Sequence, residues 1–210
     1  MHERVLPPGS RSLIASLKKA AHPALGGWTL AGGTGLALRV GHRRSDAFDF
    51  FRTGPMDPAA LLDAVAGISE TEILQQEERT LTLLARKVKI SFFGIREPFL
   101  FPPQPYSFFA VADARDIALM KLVAIMNRGS RKDFVDLYTI LRDGPTLREY
   151  LELLPRRYGT GRINAYQVLM SLAFFEDAEQ EPMPAMLEPF DWKECRSFFV
   201  REARSIVLPP

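Results

Sequence analysis

The chain has 210 residues, of which 47% are hydrophobic, 10% aromatic and 25% charged. This composition is typical of a globular protein with a substantial core, organised as one large domain or two small ones. Lys and Arg number 27 against 25 Asp and Glu. The resulting net charge of +2 excludes a chain coated with cations for nucleic acid, so any electrostatic signal has to be local.

Cysteine usage and hydropathy indicate where the protein works. Cys195 is the only cysteine, which excludes an intramolecular disulfide and leaves no cysteine partner for a zinc site or a thiol redox pair. The first residues lack the apolar run of a secretory signal. The longest uncharged run, PFLFPPQPYSFFAVA, is too short and too interrupted by proline to cross a bilayer. We therefore expect a cytoplasmic protein with no membrane partner.

The first half of the chain begins with a helical pattern followed by a strand. Leu13, Ile14 and Leu17 at helical spacing predict a helix from Ser12 to about His22, with Ser12 as its N-cap. WTLAGG then predicts a short strand that runs into a glycine turn, and TGLALRV favours a helix after that turn. The predicted order is therefore strand, glycine turn, helix.

The aromatic run DAFDFF is predicted as the next strand. Side chains alternate between the faces of a strand, so Asp49 shares a face with Ala47, while Asp46 shares the other with Phe48. Enzymes of phosphoryl and nucleotidyl transfer hold magnesium with carboxylates, and a strand directs two of them to one ion when they are two positions apart. Asp46 and Asp49 are three apart, so they face opposite sides unless a bulge brings them together.

The remaining patterns divide the chain in two. Asp57 before Pro58 predicts the start of a helix. Strand-like pieces follow at residues 72–76, 80–85 and 87–93, and helical ones at about residues 113–127, 130–141, 146–154, 163–177 and 191–204. The proline-rich EPFLFPPQPYSFF between the two groups is predicted as an extended loop or sheet edge. We therefore predict an α+β fold with a mixed sheet and flanking helices in residues 1–110, and a helical domain in residues 111–210.

Two features near the start of the chain suit an anionic ligand. The first is the stretch Gly32, Gly33 and Thr34. The two glycines let a ligand approach the backbone closely, and the N–H groups of the helix start together with the Thr34 hydroxyl are suited to binding a phosphate. The alternative is plain turn chemistry, because neither the dinucleotide-binding nor the Walker spacing is present. A basic run of Arg39, His42, Arg43 and Arg44 follows, and here the alternative is a solvated charged loop.

The second half carries one further constellation, on its first two predicted helices. Lys121 and Arg128 project from roughly the same face of the first helix, and Asp133 and Asp136 share a face of the second. The alternative to a binding role is structural. In that interpretation two amphipathic helices are joined by an ion pair from Lys121 to one of the aspartates.

Taken together, these blocks resemble a known family. LAGGTGLALRVGHRRSDAFDFF, VKISFF, DIALMKLVAIMNRGSRKDFVDLY and the tail SLAFFEDAEQEPMPAMLEPFDWKECRSFF are similar to the AbiEii/AbiGii nucleotidyltransferase toxins of type IV toxin–antitoxin systems, a branch of the polymerase-beta-like nucleotidyltransferase fold. The resemblance spans nearly the whole chain, and RGSRKDFVDLY is its most specific block. It implies a nucleotidyltransferase-like core whose nucleotide pocket is completed by the helical domain.

The resemblance also implies roles for individual residues. The catalytic positions are Asp49, Lys121 and Asp136, with Asp49 also the metal ligand; the nucleotide-binding positions are Gly32, Gly33, Thr34, Arg43, Ser45, Arg128, Lys132 and Asp133. Family members carry a second carboxylate two residues before the position of Asp49, where this chain has Ala47. Many polymerase-beta-like enzymes place a third in the VKISFF strand, where this chain has Ser91. The implied metal site is thus depleted to one carboxylate.

The implied activity is transfer of a nucleoside monophosphate from a nucleoside triphosphate to an RNA or protein hydroxyl, with weakly bound Mg²⁺ or Mn²⁺. The implied partners are the triphosphate, tRNA or other RNA, and a cognate antitoxin. Two alternatives stay open. One is a nucleotide-binding homologue that has lost catalysis, motivated by Ala47 and Ser91, and the other is a non-enzymatic protein that binds a partner through EPFLFPPQPYSFF.

Overall fold

The computed structural model describes residues 1–207 and divides the chain into two compact units, Met1–Asp113 and Ala114–Pro210. The predicted boundary between residues 110 and 111 lies close to this division. Within the described residues, all strands belong to the first unit and the second unit is built from helices.

The first unit is a seven-stranded mixed sheet with helices. Its helices are α1 (Pro8–Ala20), α2 (Gly32–Val40) and α3 (Pro58–Ala66); its strands are β1 (Thr29–Ala31), β2 (Phe48–Thr53), β3 (Thr71–Glu77), β4 (Thr80–Ala85), β5 (Val88–Ile95), β6 (Gln104–Tyr106) and β7 (Phe109–Val111). The strand order is β3-β4-β5-β2-β1-β7-β6. The pairs β2–β5 and β1–β7 are parallel, and the other neighbours are antiparallel. The predicted α+β fold class is confirmed.

Aromatic side chains on one face of the sheet form the core at the centre of this unit. Phe48, Phe50 and Phe92 are at most 1% exposed, and the rings of Phe50 and Phe92 stack with centroids 5.5 Å apart. Asp49 lies between the two buried phenylalanines of β2 and therefore points to the opposite face. The predicted strand started too early, however. Asp46 is an exposed residue that precedes β2, so strand alternation does not govern its direction.

The helix boundaries depend on prolines, glycines and one cap. The prediction that α1 begins after Ser12 is wrong, because Pro8 already occupies its first turn, where the missing N–H of proline costs nothing. The predicted glycine turn before α2 is reduced to Gly32, whose φ is 62°, because β1 ends at Ala31 and the helix begins at Gly32. The predicted start of α3 is confirmed, since the Asp57 carboxylate accepts hydrogen bonds from two backbone N–H groups of the first turn.

The two edges of the sheet differ. β6 belongs to the proline-rich segment that was predicted as a loop or sheet edge, and Pro105 in its middle cannot donate a backbone hydrogen bond. β3 at the other edge is seven residues long and interrupted by a bulge between Ile73 and Gln75. Ile73 and Leu74 are 46% and 48% exposed there. The exposed glutamates on and beside this strand are Glu70, Glu72, Glu77 and Glu78.

The second unit contains the helices α4 (Ala114–Arg128), α5 (Arg131–Leu141), α6 (Leu147–Tyr158), α7 (Ala165–Leu172), α8 (Glu176–Gln180) and α9 (Trp192–Ser205). The single helix predicted over residues 163–177 is wrong, because the chain breaks between α7 and α8. Ala173 and Phe174 donate to carbonyls three residues back, which closes α7. The break lets Phe175 pack against Phe134, with ring centroids 5.0 Å apart. Burial of the Phe175 ring stabilises the fold by more than an uninterrupted helix would.

The core of the second unit forms where α5 and α9 pack together. Phe134 of α5 and Phe199 of α9 are fully buried with ring centroids 5.5 Å apart. Cys195 is buried beside them, and this burial raises the pKa of its thiol well above the ordinary range. In the part of the chain that the structure describes, no helix combines the length and the apolar character needed to cross a membrane.

Candidate functional site

The first part of the site lies where β1, α2 and β2 meet. β1 and β2 pair antiparallel with Ala31 opposite Asp49, and α2 starts immediately after Ala31. Gly32 has a positive φ of 62°, and a β-carbon built on it would lie 3.0 Å from Asp49 Oδ2. The glycine therefore lets the Asp49 carboxylate approach the backbone at the start of α2 more closely than any other residue would allow.

The start of α2 favours negative charge. The first N–H groups of a helix have no partner within that helix, and the helix dipole adds partial positive charge there. Gly32 and Gly33 form this first turn together with Thr34. Their small size leaves the backbone open to close approach, so a phosphate or a carboxylate is stabilised at this point.

Thr34 has a structural role that the sequence interpretation did not include. It is 2% exposed, and its hydroxyl donates a short hydrogen bond to the carbonyl of Ala47. The Ser45 hydroxyl lies 2.7 Å from the same Thr34 oxygen. Because a threonine hydroxyl has one proton to donate, Ser45 is the donor to Thr34. Ser45 and Thr34 thus hold the segment that leads into β2 and carries Asp49.

Asp49 belongs to a row of residues that runs across the sheet. Asp49 pairs with Ser91 of β5, and Ser91 pairs with Thr82 of β4. Ser91 is fully buried and accepts a hydrogen bond of 3.3 Å from the Thr82 hydroxyl. The expected position of a third carboxylate is therefore directly beside Asp49 and is filled by a buried serine. Sequence reasoning singled out Ser91 but missed Thr82.

The donor set of this row does not fit a resident metal ion. Asp49 is its only carboxylate, and Ala47 stands half-buried just before β2 where the second would be. No group of three or more His, Cys, Asp or Glu side chains within residues 1–207 is arranged to hold a metal ion. One carboxylate binds magnesium weakly, because the ion keeps most of its waters unless several charged ligands replace them.

Two arginines of the basic run, Arg39 in α2 and Arg43 after it, donate hydrogen bonds to backbone carbonyls of the first unit. Arg43 is 5% exposed and donates to the carbonyl of Arg44. Arg39 donates to the carbonyls of Val111 and Ala112, the second by a short hydrogen bond. A solvated loop is therefore not the right description of either arginine. They connect α2 and the following segment to neighbouring backbone.

In the second unit the conspicuous polar cluster lies between α4 and α5. The Lys121 ammonium lies 2.7 Å from Asp133 Oδ1 and 2.7 Å from Asp136 Oδ2. Arg128 holds the remaining oxygen of Asp133 through its Nε at 2.7 Å. Both aspartates are fully buried and Lys121 is 5% exposed. The structural ion pair that sequence analysis kept as an alternative is thus present, and it involves both aspartates.

The pKa shifts in this cluster reflect competition between burial and pairing. Burial acts to lower the pKa of Lys121, but the charges of Asp136 and then Asp133 outweigh it, so that pKa is raised. Burial likewise acts to raise the pKa of Asp133, and Lys121 together with Arg128 outweighs it, so that pKa is lowered. Both groups are therefore charged across the physiological range.

The start of α5 is attached to the segment around α8. Glu181 Oε2 accepts from the Ser130 hydroxyl at 2.6 Å and from the backbone N–H of Arg131 at 2.9 Å. The Arg131 guanidinium donates to the carbonyl of Ala178. The block RGSRKDFVDLY thus serves partly to anchor the segment around α8, which is distant in the sequence. Sequence analysis missed Glu181 because no local pattern marks it. Lys132, in contrast, is exposed.

The family assignment follows from a comparison with known proteins. A model of the family described as nucleotidyl transferase AbiEii toxin, type IV TA system, matches residues 17–206. The chain belongs to the AbiEii nucleotidyltransferase toxin family. The resemblance inferred from the sequence blocks is confirmed. The Gly32–Asp49 arrangement and the Lys121 cluster are therefore features of an AbiEii family member.

Individual known proteins are similar to this chain in sequence or in fold. An uncharacterized protein of Aquifex aeolicus strain VF5 is 39% identical over 180 residues, which cover 83% of this chain and 85% of that protein. JHP933 from Helicobacter pylori has a TM-score of 0.55 at 15% identity and matches 95% of this chain and 92% of its own. MenT4, a nucleotidyltransferase toxin from Mycobacterium tuberculosis H37Rv, has a TM-score of 0.57 at 18% identity over 93% of this chain and 82% of its own. The two solved structures establish the shared fold.

Proposed function

We propose that this AbiEii family member transfers a nucleoside monophosphate from a nucleoside triphosphate to a hydroxyl group of an RNA or protein acceptor. The acceptor oxygen forms a bond to the α-phosphorus, and the bond from that phosphorus to the bridging oxygen breaks. Pyrophosphate leaves with the electron pair, and the hydroxyl proton passes to water. As in other toxin–antitoxin systems, a cognate antitoxin is the expected protein partner.

The approach of Asp49 to Gly32 carries this proposal. It brings a carboxylate on a strand to the start of a glycine-rich helix, where backbone N–H groups suit a phosphate. A nucleotidyltransferase needs these two functions at one place, because the triphosphate has to be held while charge develops on the leaving pyrophosphate. The family membership makes nucleotidyl transfer the natural use of this arrangement.

The residues proposed for function form one set in each unit. In the first unit they are Gly32, Gly33, Thr34, Arg43 and Ser45 for the triphosphate and Asp49 for catalysis; in the second they are Lys121 and Asp136 for catalysis and Arg128, Lys132 and Asp133 for the nucleotide. Thr34 and Ser45 act through the segment that they hold. Lys121 is occupied by two aspartates, so a direct phosphate contact requires it to release one of them.

Because the donor set does not fit a resident ion, we propose that Mg²⁺ or Mn²⁺ is bound weakly and that the acidic site is depleted. The two positions concerned are Ala47 and Ser91, where a relative with a full metal site would carry carboxylates. Asp49 alone supplies negative charge from this row. No catalytic step is assigned to the ion.

Label transfer tests the function. The chain is incubated with each of the four α-labelled nucleoside triphosphates, with Mg²⁺ or Mn²⁺, and with total cellular RNA and protein. We expect slow transfer by the natural chain, faster transfer by Ala47→Asp, and none by Asp49→Asn. Asp46→Asn is the matched control, since it removes an exposed carboxylate three positions away and leaves transfer unchanged. If only Ala47→Asp transfers label, the natural chain is not an active transferase.

The presence of Ala47 and Ser91 at two carboxylate positions favours a second candidate, a homologue that binds nucleotide without catalysis. Such a protein is stabilised by a triphosphate, because a ligand that binds only the folded state raises the melting temperature. We would then expect a shift at millimolar nucleotide without label transfer. No shift with any nucleotide, with or without metal, would contradict this candidate.

A further inference from the structure

The face of the sheet that carries Asp49 continues into an aromatic surface that has no role in the chemistry proposed above. Phe51 lies two positions after Asp49 on β2, so both side chains are on the same face, opposite to the buried phenylalanines of the core. Phe93 is the neighbour of Phe51 on β5, and the two rings stack with centroids 5.1 Å apart. Both rings are only half-buried. An accessible aromatic surface therefore begins beside the carboxylate of the candidate site.

The proline-rich segment after β5 encloses, together with this face, a cavity of about 300 Å³, which is within the size range of pockets for small ligands. The sheet lines the cavity with Phe51, Thr29 and Ile95, and the segment lines it with residues 98–103. The ring of Phe99 lies edge-on to that of Phe51, with centroids 6.2 Å apart. Because prolines in this segment have a fixed φ, little backbone entropy is lost when a ligand binds there.

The β1 side of the Phe51 ring has room for a planar ligand. The neighbour of Phe51 on β5 is Phe93, which stacks on it, whereas the neighbour on β1 is the much smaller Thr29. Thr29 lines the cavity together with Phe51, and Thr53 adds a second hydroxyl at the end of β2. The lining thus offers an aromatic ring for stacking and hydroxyl groups for hydrogen bonds.

The charge of the lining offers little attraction to a phosphate group. Among the described residues that line the cavity, Arg52 is the only charged one. Its guanidinium lies over the ring of Trp28, 4.6 Å from the centroid, and donates a hydrogen bond of 2.8 Å to the carbonyl of Pro55. The occupant that fits this lining is therefore an uncharged planar group on a ligand whose charge lies elsewhere.

From these observations we propose that the cavity beside Phe51 binds the nucleobase of the nucleoside triphosphate, an inference that rests on the proposed nucleotidyl transfer. Residues two positions apart on a strand are separated by about 7 Å, a distance that one ribose bridges. With its phosphates at the start of α2 and Asp49, the triphosphate therefore places its base at Phe51. Stacking on an aromatic ring accepts every base, because each base has a π-face. The proline-rich segment then belongs to the nucleotide site and is not a surface for a protein partner.

A comparison of nucleoside triphosphates with inorganic tripolyphosphate tests this subsite, because tripolyphosphate carries no base. In calorimetric titrations without metal, the natural chain should bind each of the four nucleoside triphosphates about tenfold or more tightly than tripolyphosphate, as expected for one stacked base. Phe51→Leu should remove most of this difference and leave the affinity for tripolyphosphate unchanged. Phe51→Tyr keeps the aromatic ring and should retain the difference.

Two further variants control for effects on folding. Phe108→Leu is the matched control, because Phe108 is a half-buried phenylalanine of the same unit that lies between β6 and β7, outside the cavity. It should retain the full difference. Phe99→Leu removes a ring from the wall of the cavity that lies outside the strands, so it tests the subsite even if Phe51→Leu does not fold. It should also reduce the difference. Thermal unfolding without ligand shows which variants are folded.

The possible outcomes separate the base subsite from the proposed function. If the natural chain binds nucleoside triphosphates and tripolyphosphate equally, the base subsite is overturned, while the phosphate site and the proposed transfer stand. Equal losses in Phe51→Leu and Phe108→Leu, or loss of tripolyphosphate binding in a folded Phe51→Leu variant, would also overturn the subsite, because the ring would then not act on the base. If the natural chain binds neither ligand, the proposed function fails together with the subsite.

Discussion

The Asp49 carboxylate lies against Gly32, so closely that a β-carbon at Gly32 would be 3.0 Å from Asp49 Oδ2. Gly32 also has a positive φ of 62°, a conformation that side chains disfavour. Two independent requirements, one of backbone conformation and one of space, thus act on the same residue. They link the first residue of α2 to the carboxylate on which the proposed chemistry depends.

We predict that Gly32→Ala destabilises the folded chain and impairs nucleotide binding. The positive φ alone should cost about 1–2 kcal/mol, and the contact with Asp49 adds to it. Gly161→Ala is the matched control, because Gly161 has φ of 76° with nothing within 4 Å of an added β-carbon. Urea unfolding measures both. Equal losses of stability in Gly32→Ala and Gly161→Ala would show that the close contact with Asp49 adds nothing to the cost of the substitution at Gly32.

A second prediction concerns the hydroxyl of Thr34. Thr34→Val keeps the shape but leaves the Ala47 carbonyl and the Ser45 hydroxyl without this partner, which should cost about 1–3 kcal/mol. Thr34→Ser retains the hydroxyl and should lose clearly less. The measurement is urea unfolding without ligand. If Thr34→Val is as stable as the natural chain, the hydroxyl is available for a phosphate and does not hold the segment before β2.

Local signals predicted a good part of the fold. The strand-like piece predicted at residues 80–85 has the bounds of β4, Thr80–Ala85, and Asp57 before Pro58 correctly predicted the start of α3. Contacts between distant residues could not be predicted in this way. Ser91 lies beside Asp49 only because β5 pairs with β2 across two intervening strands in the sequence. Glu181 contacts Ser130 from 51 positions away, and no periodicity encodes that contact.

A third prediction separates the two cations of the α4–α5 cluster. Lys121→Met leaves two buried carboxylates without their shared partner and should destabilise by about 3–5 kcal/mol. Arg128→Met is the matched change at a side chain that is 58% exposed, and it should cost at most about 1 kcal/mol. Urea unfolding compares them. A small loss for Lys121→Met would mean that Lys121 is not needed to hold the helices together.

The pKa shifts of the same cluster predict how stability depends on pH. The pKa of Asp133 is lowered from 3.8, so its contribution is present above that value and is lost as the pH falls through the lowered pKa. The pKa of Lys121 is raised from 10.5, so its contribution is complete below that value and is lost as the pH rises through the raised pKa. Stability should therefore decline at both extremes.

Urea unfolding over a pH series measures this dependence. Asp133→Asn should flatten the acid side of the profile, while Asp63→Asn at an exposed position of α3 should leave it unchanged. If the stability of Asp133→Asn still declines at low pH as in the natural chain, the acid sensitivity of folding arises elsewhere in the chain.

The open edge of the sheet at β3 bears on how copies of this chain behave in concentrated solution. An unpaired strand edge with exposed Ile73 and Leu74 is a ready surface for aggregation. The bulge distorts that edge, and the neighbouring glutamates bring like charges face to face when two such edges approach. Colloidal stability therefore depends on the repulsion between those carboxylates remaining unscreened, so concentrated salt should promote edge-to-edge precipitation of otherwise folded molecules.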